Sequence, residues 1–185
     1  PVSSLASFVE YQRERAWLWE HQALVRARAV AGPAALVARF EAERCALLAR
    51  SRALPETLAE VARMRERWRA ELDRSDAQRF DLKQGRGALV DIEFLLQALV
   101  LAHAAAHPQL ARAVSTSALL DGLAAAAILD AETHAVLART HRECLSRALD
   151  CSLDLRPRVI ARDASLQPWT DACAAILRRF GLFAP

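Results

Sequence analysis

Residues 80–107, FDLKQGRGALVDIEFLLQALVLAHAAAH, constrain this chain more than any other stretch. From about Ala88 to His107 apolar side chains occupy nearly every side of a helix, with Asp91, Glu93 and Gln97 set among them. A helix without a polar face has no stable place at a surface, so it predicts the centre of a helical bundle. Its longest apolar window, 94–106, contains Gln97 and His103. That window falls short of the ~18 apolar residues a membrane span needs, and no membrane partner is expected.

The remaining sequence points the same way. Only 5 glycines and 7 prolines punctuate 185 residues, and no stretch shows the β-branched alternation of a strand, so the fold class is all-α. Ser3 or Ser4 caps a first helix to about Arg15. A second runs through AWLWEHQALVRARAVAG to Gly32, with Trp17, Leu24 and Ala31 facing a core. Pro33 opens a third, to about residue 52, and Pro55 a fourth, to about Arg74, with Leu58, Val61, Trp68 and Leu72 inward. Residues 75–87 break the helical pattern, although Arg79 to Lys83 can lie extended. Beyond Pro108, a cap among Ser115, Thr116 and Ser117 starts a short helix, and Asp130 starts a long one to Cys151. Residues 152–165 read as a loop, and Pro168 opens a last helix that turns Trp169, Cys173, Ile176 and Phe180 inward before Gly181. The expected architecture is an up-and-down bundle over 55–185 with a helical annex over 1–54.

Composition narrows the function classes. PVSSLASFVEYQ lacks the basic and apolar regions of a signal peptide, so the chain is expected to be cytoplasmic. Cys45, Cys144, Cys151 and Cys173 form no C-x-x-C and read as core thiols, and no metal site is expected. The net charge of +3 is carried almost wholly by arginine, without the dense basic stripe interleaved with aromatics that nucleic-acid binding wants. Trp17, Trp19 and Trp68 accordingly read as core.

Four groups carry candidate chemistry. Asp91 and Glu93 are two residues apart, which on a helix points them about 200° from each other, so they cannot share one ligand. Asp91 lies in the first turn, where it complements the helix dipole. Glu93 stacks with Gln97 and requires an arginine partner; it is either a structural ion pair or part of a ligand cleft. Lys83, Gly85 and Gly87 before a helix N-terminus make either an anion cradle or a plain capped loop, with no P-loop ending. His103 and His107 have the spacing of two zinc ligands on one turn, without the glutamate of H-E-x-x-H. Arg26 and Arg28 either face a nucleotide or are solvated.

The blocks YQRERAWLWEHQALVRARAVAG and DLKQGRGALVDIEFLLQALVLAHA resemble the bacterial glutamine synthetase adenylyltransferase family. The resemblance implies a bundle of the nucleotidyltransferase substrate-binding-domain type, its annex being the trailing part of a nucleotidyltransferase domain. It implies an enzyme that adenylylates a tyrosine of glutamine synthetase with ATP and Mg²⁺, removes AMP by phosphorolysis in a second unit, and answers to PII signal proteins and glutamine. A related uridylyltransferase bundle, or a pure interaction module, is the alternative. By resemblance Arg26 and Arg28 match the family's R-A-R, and Lys83, Gly85, Gly87, Asp91, Glu93 and Gln97 its glycine-rich helix-opening element. Ala88, Leu18 and Pro33 depart from it. The G-S and D-x-D that hold Mg²⁺ in that superfamily are not in this sequence, so no catalytic residue is assigned. The chain is expected to be a C-terminal fragment, inactive alone, with no cofactor bound to it.

Overall fold

The computed structural model describes residues 2–183. Three leading helices, α1 (Leu5–Glu14), α2 (Leu18–Val25) and α3 (Ala34–Leu48), precede a long α4 (Leu54–Leu72). A short strand β1 (Arg79–Asp81) leads into α5 (Leu89–His103) and a 3-10 turn, Pro108–Arg112. The chain continues through α6 (Thr116–Ala125), α7 (Ala131–Leu153), β2 (Val159–Ala161) and α8 (Gln167–Arg179). The fold class is all-α, a helical bundle with one two-stranded ribbon.

Helix α5 sits where its sequence requires. From Leu89 to Leu101 every residue except Glu93 is buried, and α4, α2, α6, α7 and α8 all pack against it. Its leucines share one apolar cluster with Leu24 and Val25 of α2 and with Leu47 and Leu48 of α3, so the core runs unbroken across residue 54. The expected caps are in place. Ser4 Oγ accepts from Ser7 N–H at 3.1 Å, Ser115 Oγ from Ala118 N–H at 3.2 Å, and Asp130 Oδ1 from Thr133 N–H at 2.7 Å.

Several expectations are corrected. α2 stops at Val25 rather than Gly32, because the chain turns out at Arg26 and Ala29 N–H bonds the Glu41 carboxylate at 3.0 Å instead of a helical carbonyl. Of the stripe Trp17, Leu24 and Ala31, only Leu24 is buried. None of Trp17, Trp19 and Trp68 is core, at 68%, 48% and 40% exposure. α4 turns Arg65 and Arg69 inward and leaves Leu72 out, because a buried carboxylate attracts those guanidiniums. α5 ends at His103, four residues early, and Pro108 opens the 3-10 turn. The 152–165 loop contains β2, paired antiparallel to β1 with Phe80 opposite Ile160. α8 is rotated: Thr170, Cys173, Ala174 and Leu177 face inward, with Trp169, Ile176 and Phe180 half-buried at its flanks. The annex start at Pro1 and the bundle end at Pro185 lie outside the described residues.

Gly181, at φ +78°, turns the chain back after α8, and Leu182 N–H bonds Leu177 O at 2.9 Å. The turn lays the Phe183 ring between two guanidiniums, 4.5 Å from Arg69 Cζ and 4.9 Å from Arg86 Cζ, each attracted to a ring face.

Candidate functional site

The two carboxylates of α5 have separate partners, as their spacing requires. Asp91 is completely buried, and its Oδ1 accepts from Arg65 Nε at 2.6 Å and Arg69 Nη2 at 2.6 Å. Its Oδ2 accepts from Gly87 N–H at 2.7 Å. Arg65, also fully buried, donates from Nη2 to Gln84 O at 2.6 Å. Burial pushes the Arg65 guanidinium below its ordinary pKa while Asp91 holds it up. Sequence reasoning gave Asp91 a helix-dipole role; the structure makes it the buried ionic centre that ties α4 to the start of α5. A run written MRERWRAELDR hides this, because nothing in it says which arginines turn inward.

Glu93 is the more open of the two, its side chain 25% exposed. The arginine it requires is Arg26, whose Nη1 donates to Oε1 at 2.6 Å. Both partners reach water, so the pair is worth only about 0.2–1 kcal/mol to stability. One turn further along α5, buried Gln97 Oε1 accepts from Gln22 Nε2 at 3.4 Å. The end of α2 and the middle of α5 therefore meet through Arg26–Glu93 and Gln22–Gln97. Arg28, exposed beyond the end of α2, joins neither pair.

The loop before α5 spends its backbone donors inside the chain. Besides Gly87 N–H on Asp91, Ala88 N–H bonds Gly85 O at 3.0 Å, Leu89 N–H Leu82 O at 3.4 Å, and Val90 N–H Lys83 O at 3.1 Å. A Cβ on Gly85 would fall 2.5 Å from Asp81 O, and one on Gly87 2.2 Å from Thr170 O. Both glycines thus let backbone segments approach closely. Lys83 is exposed at the loop, with no carboxylate partner among the described residues.

A residue that reads from the sequence, seven positions from His134, as a core or surface histidine belongs beside this region. His141 of α7 lines a groove of about 640 Å³ together with Arg26 and Glu93. Burial lowers its pKa, with Glu93 opposing and Arg26 adding. The sequence places it on one face with Leu137, Cys144, Ala148 and Cys151, and in the structure it is half-buried at the edge of the face that Leu137 and Cys144 bury. Cys144 and Cys173 are buried thiols, Cys144 with its pKa pushed up to about 12 by burial, which suits core packing and not nucleophilic chemistry. Among the described residues no three His, Cys, Asp or Glu side chains are grouped to hold a metal ion. Among the described residues no helix is long and apolar enough to cross a membrane.

A second histidine sets a pH dependence. His21, 6% exposed, bonds Gln12 O through Nε2 at 2.9 Å and Arg52 Nη2 through Nδ1 at 3.2 Å. An arginine donating to Nδ1 requires a neutral ring protonated on Nε2. Burial lowers the His21 pKa, as it does for His103 and His141. Below the unfolded histidine value of about 6.5 the unfolded chain therefore takes up protons that the fold refuses. The stabilisation is complete above that value and is lost as pH falls through the lowered folded pKa. Thermal melts at pH 7.5 and 5.5 are expected to differ by several degrees, with the lower value at pH 5.5. His21→Gln is expected to flatten that slope; an unchanged slope would remove His21 as its source.

Comparison with known proteins adds two family matches and a set of relatives. Residues 1–43 match the family described as Glutamate-ammonia ligase adenylyltransferase, and residues 60–161 the one described as GlnD PII-uridylyltransferase. The chain is 53% identical over 175 residues to a bifunctional glutamine synthetase adenylyltransferase/adenylyl-removing enzyme of Stenotrophomonas maltophilia, covering 95% of the chain and 18% of that relative. Proteins of the same description from Nitrosococcus oceani and Acinetobacter baylyi are 49% and 43% identical over 76% and 78% of the chain, and 15% and 17% of the relatives. The chain thus spans under a fifth of the length of these curated relatives.

Proposed function

The chain belongs to the glutamate-ammonia ligase adenylyltransferase family, and we propose that it supplies the helical part of a unit that transfers AMP from ATP to a tyrosine of glutamine synthetase. In the longer protein a second unit removes the AMP by phosphorolysis, and PII signal proteins act on the balance. Residues 1–54 are the trailing part of the nucleotidyltransferase domain and 55–185 the bundle beside it. Arg26, Arg28, Lys83 and Glu93 face the nucleotide cleft, while Gly85, Gly87, Asp91 and Gln97 hold that wall in shape.

The observation that carries this reading is the contact between the two resembling blocks. Arg26–Glu93 and Gln22–Gln97 join segments 67 and 75 residues apart, leaving an ion pair open to water at the seam. An ion pair of little structural worth is better placed to meet a substrate than to hold a fold. Mg²⁺ does not fit here: Asp91 and Glu93 are engaged by different arginines and point apart. We assign Mg²⁺, the ATP phosphates and the catalytic carboxylates to the nucleotidyltransferase domain, and this chain alone to no turnover.

The test is Glu93→Gln in the intact enzyme, with AMP transfer to glutamine synthetase measured beside thermal stability. Transfer is expected to fall about tenfold or more while the melting temperature moves by no more than about 2 °C, as for a part-exposed pair. Unchanged transfer with a lower melting temperature would make the pair structural. The match of residues 60–161 to a uridylyltransferase description supports a second reading. Offering the intact enzyme UTP with a PII protein, against ATP with glutamine synthetase, separates the two.

A further inference from the structure

A groove of about 1050 Å³ opens between the start of α2 and one face of α4, and it shares no residue with the groove that holds Arg26 and Glu93. Trp17 and Trp19, both exposed, form its walls, while Val61 and Met64, both buried, lie at its floor. Two indole rings thus keep apolar area in water beside a cavity near the top of the size range of ligand pockets. Glu60, Glu66, Arg63 and Arg67 stand exposed at the rim, and their formal charges cancel. A net charge on a ligand therefore gains nothing here.

One buried polar group is set into this lining. Gln22, 2% exposed, lines the groove beside Val61 and Met64. Its Nε2 reaches Gln97 Oε1 at 3.4 Å, and its own Oε1 is buried with no donor among the described residues. So long a bond leaves the amide free to turn Oε1 toward the groove. A buried acceptor without a donor is costly, so that atom favours whatever brings it an N–H. Val61 and Met64 offer no hydrogen for a ligand to accept. The groove therefore suits a flat apolar body with one N–H better than a purine, whose several ring acceptors that floor cannot serve.

We propose that this groove binds a neutral bicyclic heteroaromatic carrying one ring N–H, of the indole type. The N–H donates to Gln22 Oε1, and Trp17 and Trp19 cover the ring. Binding needs no catalytic domain and no AMP transfer, so it stands or falls separately from the function proposed above.

The test is titration of the ¹⁵N-labelled chain with indole and with benzofuran, following the tryptophan side-chain N–H signals in ¹H–¹⁵N spectra. The two ligands have the same shape, but benzofuran sets a ring oxygen where indole has its N–H, so it faces Gln22 Oε1 with a second acceptor. Indole is expected to shift the Trp17 and Trp19 signals to saturation, with that of Trp169 on α8 unmoved, and to bind about tenfold more tightly than benzofuran. Gln22→Met keeps the length of the side chain and is expected to bind both ligands with equal affinity. Trp17→Ala, at an exposed position where folding is not at stake, is expected to weaken both about fivefold. The proposal is overturned by the absence of a saturating shift, by an equal shift at Trp169, or by equal affinity of the parent chain for the two ligands. A preference for indole that survives in Gln22→Met, or unchanged binding in Trp17→Ala, overturns it as well.

Discussion

Asp91→Asn is expected to melt roughly 10 °C below the parent chain. The substitution keeps the shape of the side chain and removes its charge, leaving buried Arg65 with no counter-ion and Arg69 with only the exposed Glu66, 2.9 Å from its Nη1. Arg65 and Asp91 are both fully out of water and Arg69 nearly so. Removing one partner of such a group costs about 3–5 kcal/mol, and a chain of this size loses about 2–4 °C per kcal/mol. Glu66 can soften the loss only at Arg69, since Arg65 Nη1 and Arg69 Nε are buried without acceptors even in the native arrangement. Circular dichroism melts give the comparison directly. A drop under about 2 °C would mean that the network contributes shape and little energy. The double variant Arg65→Met with Asp91→Leu should recover part of the loss, because apolar groups of similar volume often replace a buried ion pair at little cost.

Gly87→Ala is expected to destabilise the chain by about 3 kcal/mol or more, and Gly181→Ala by only about 1 kcal/mol. The two glycines share nearly the same backbone, φ +76° and +78°, so the strain of a left-handed residue is common to both. Space separates them. A Cβ on Gly181 meets nothing within 4 Å, whereas one on Gly87 lies 2.2 Å from the carbonyl oxygen of Thr170 and 3.2 Å from Ala174 N. Those are backbone atoms of α8, so the helix itself must move. The same shift would disturb the Gly87 N–H on Asp91, and the cost would not add simply to that of Asp91→Asn. Urea unfolding of both variants, and of Gly87→Ala with Asp91→Asn, measures the strain, the clash and their coupling; equal losses at Gly87 and Gly181 would leave no role for the contact with α8.

Most of the fold could be read in the sequence because it rests on local signals. The all-round apolar pattern of α5 placed it in the core. Ser4, Ser115 and Asp130 marked their helix starts by side chains that satisfy first-turn amides. What was not legible depends on partners far away in the chain. Strands of three residues have too short a period to detect, and β1 and β2 exist because they find each other across about eighty residues. Arg65 and Arg69 sit in a charged run that reads as a wet face, and only the position of Asp91 turns them inward.

The same limit governed the site. Helical geometry gave the divergence of Asp91 and Glu93 and the need for an arginine at Glu93. It could not say that the deeper burial belongs to Asp91, since both lie in equally apolar surroundings on paper. His141 read as no more than a core or surface histidine because its neighbours Arg26 and Glu93 come from the end of α2 and from α5.

The seam between α2 and α5 also bears on how such proteins can recombine. Arg26 and Gln22 lie before residue 54, and Glu93 and Gln97 lie after it. Chimaeras joined near that residue would inherit the two halves of each pair from different parents, along with mismatched halves of a shared core. A crossover upstream of α1 keeps both pairs in one inherited block, so the unit that can be exchanged between relatives is larger than the bundle.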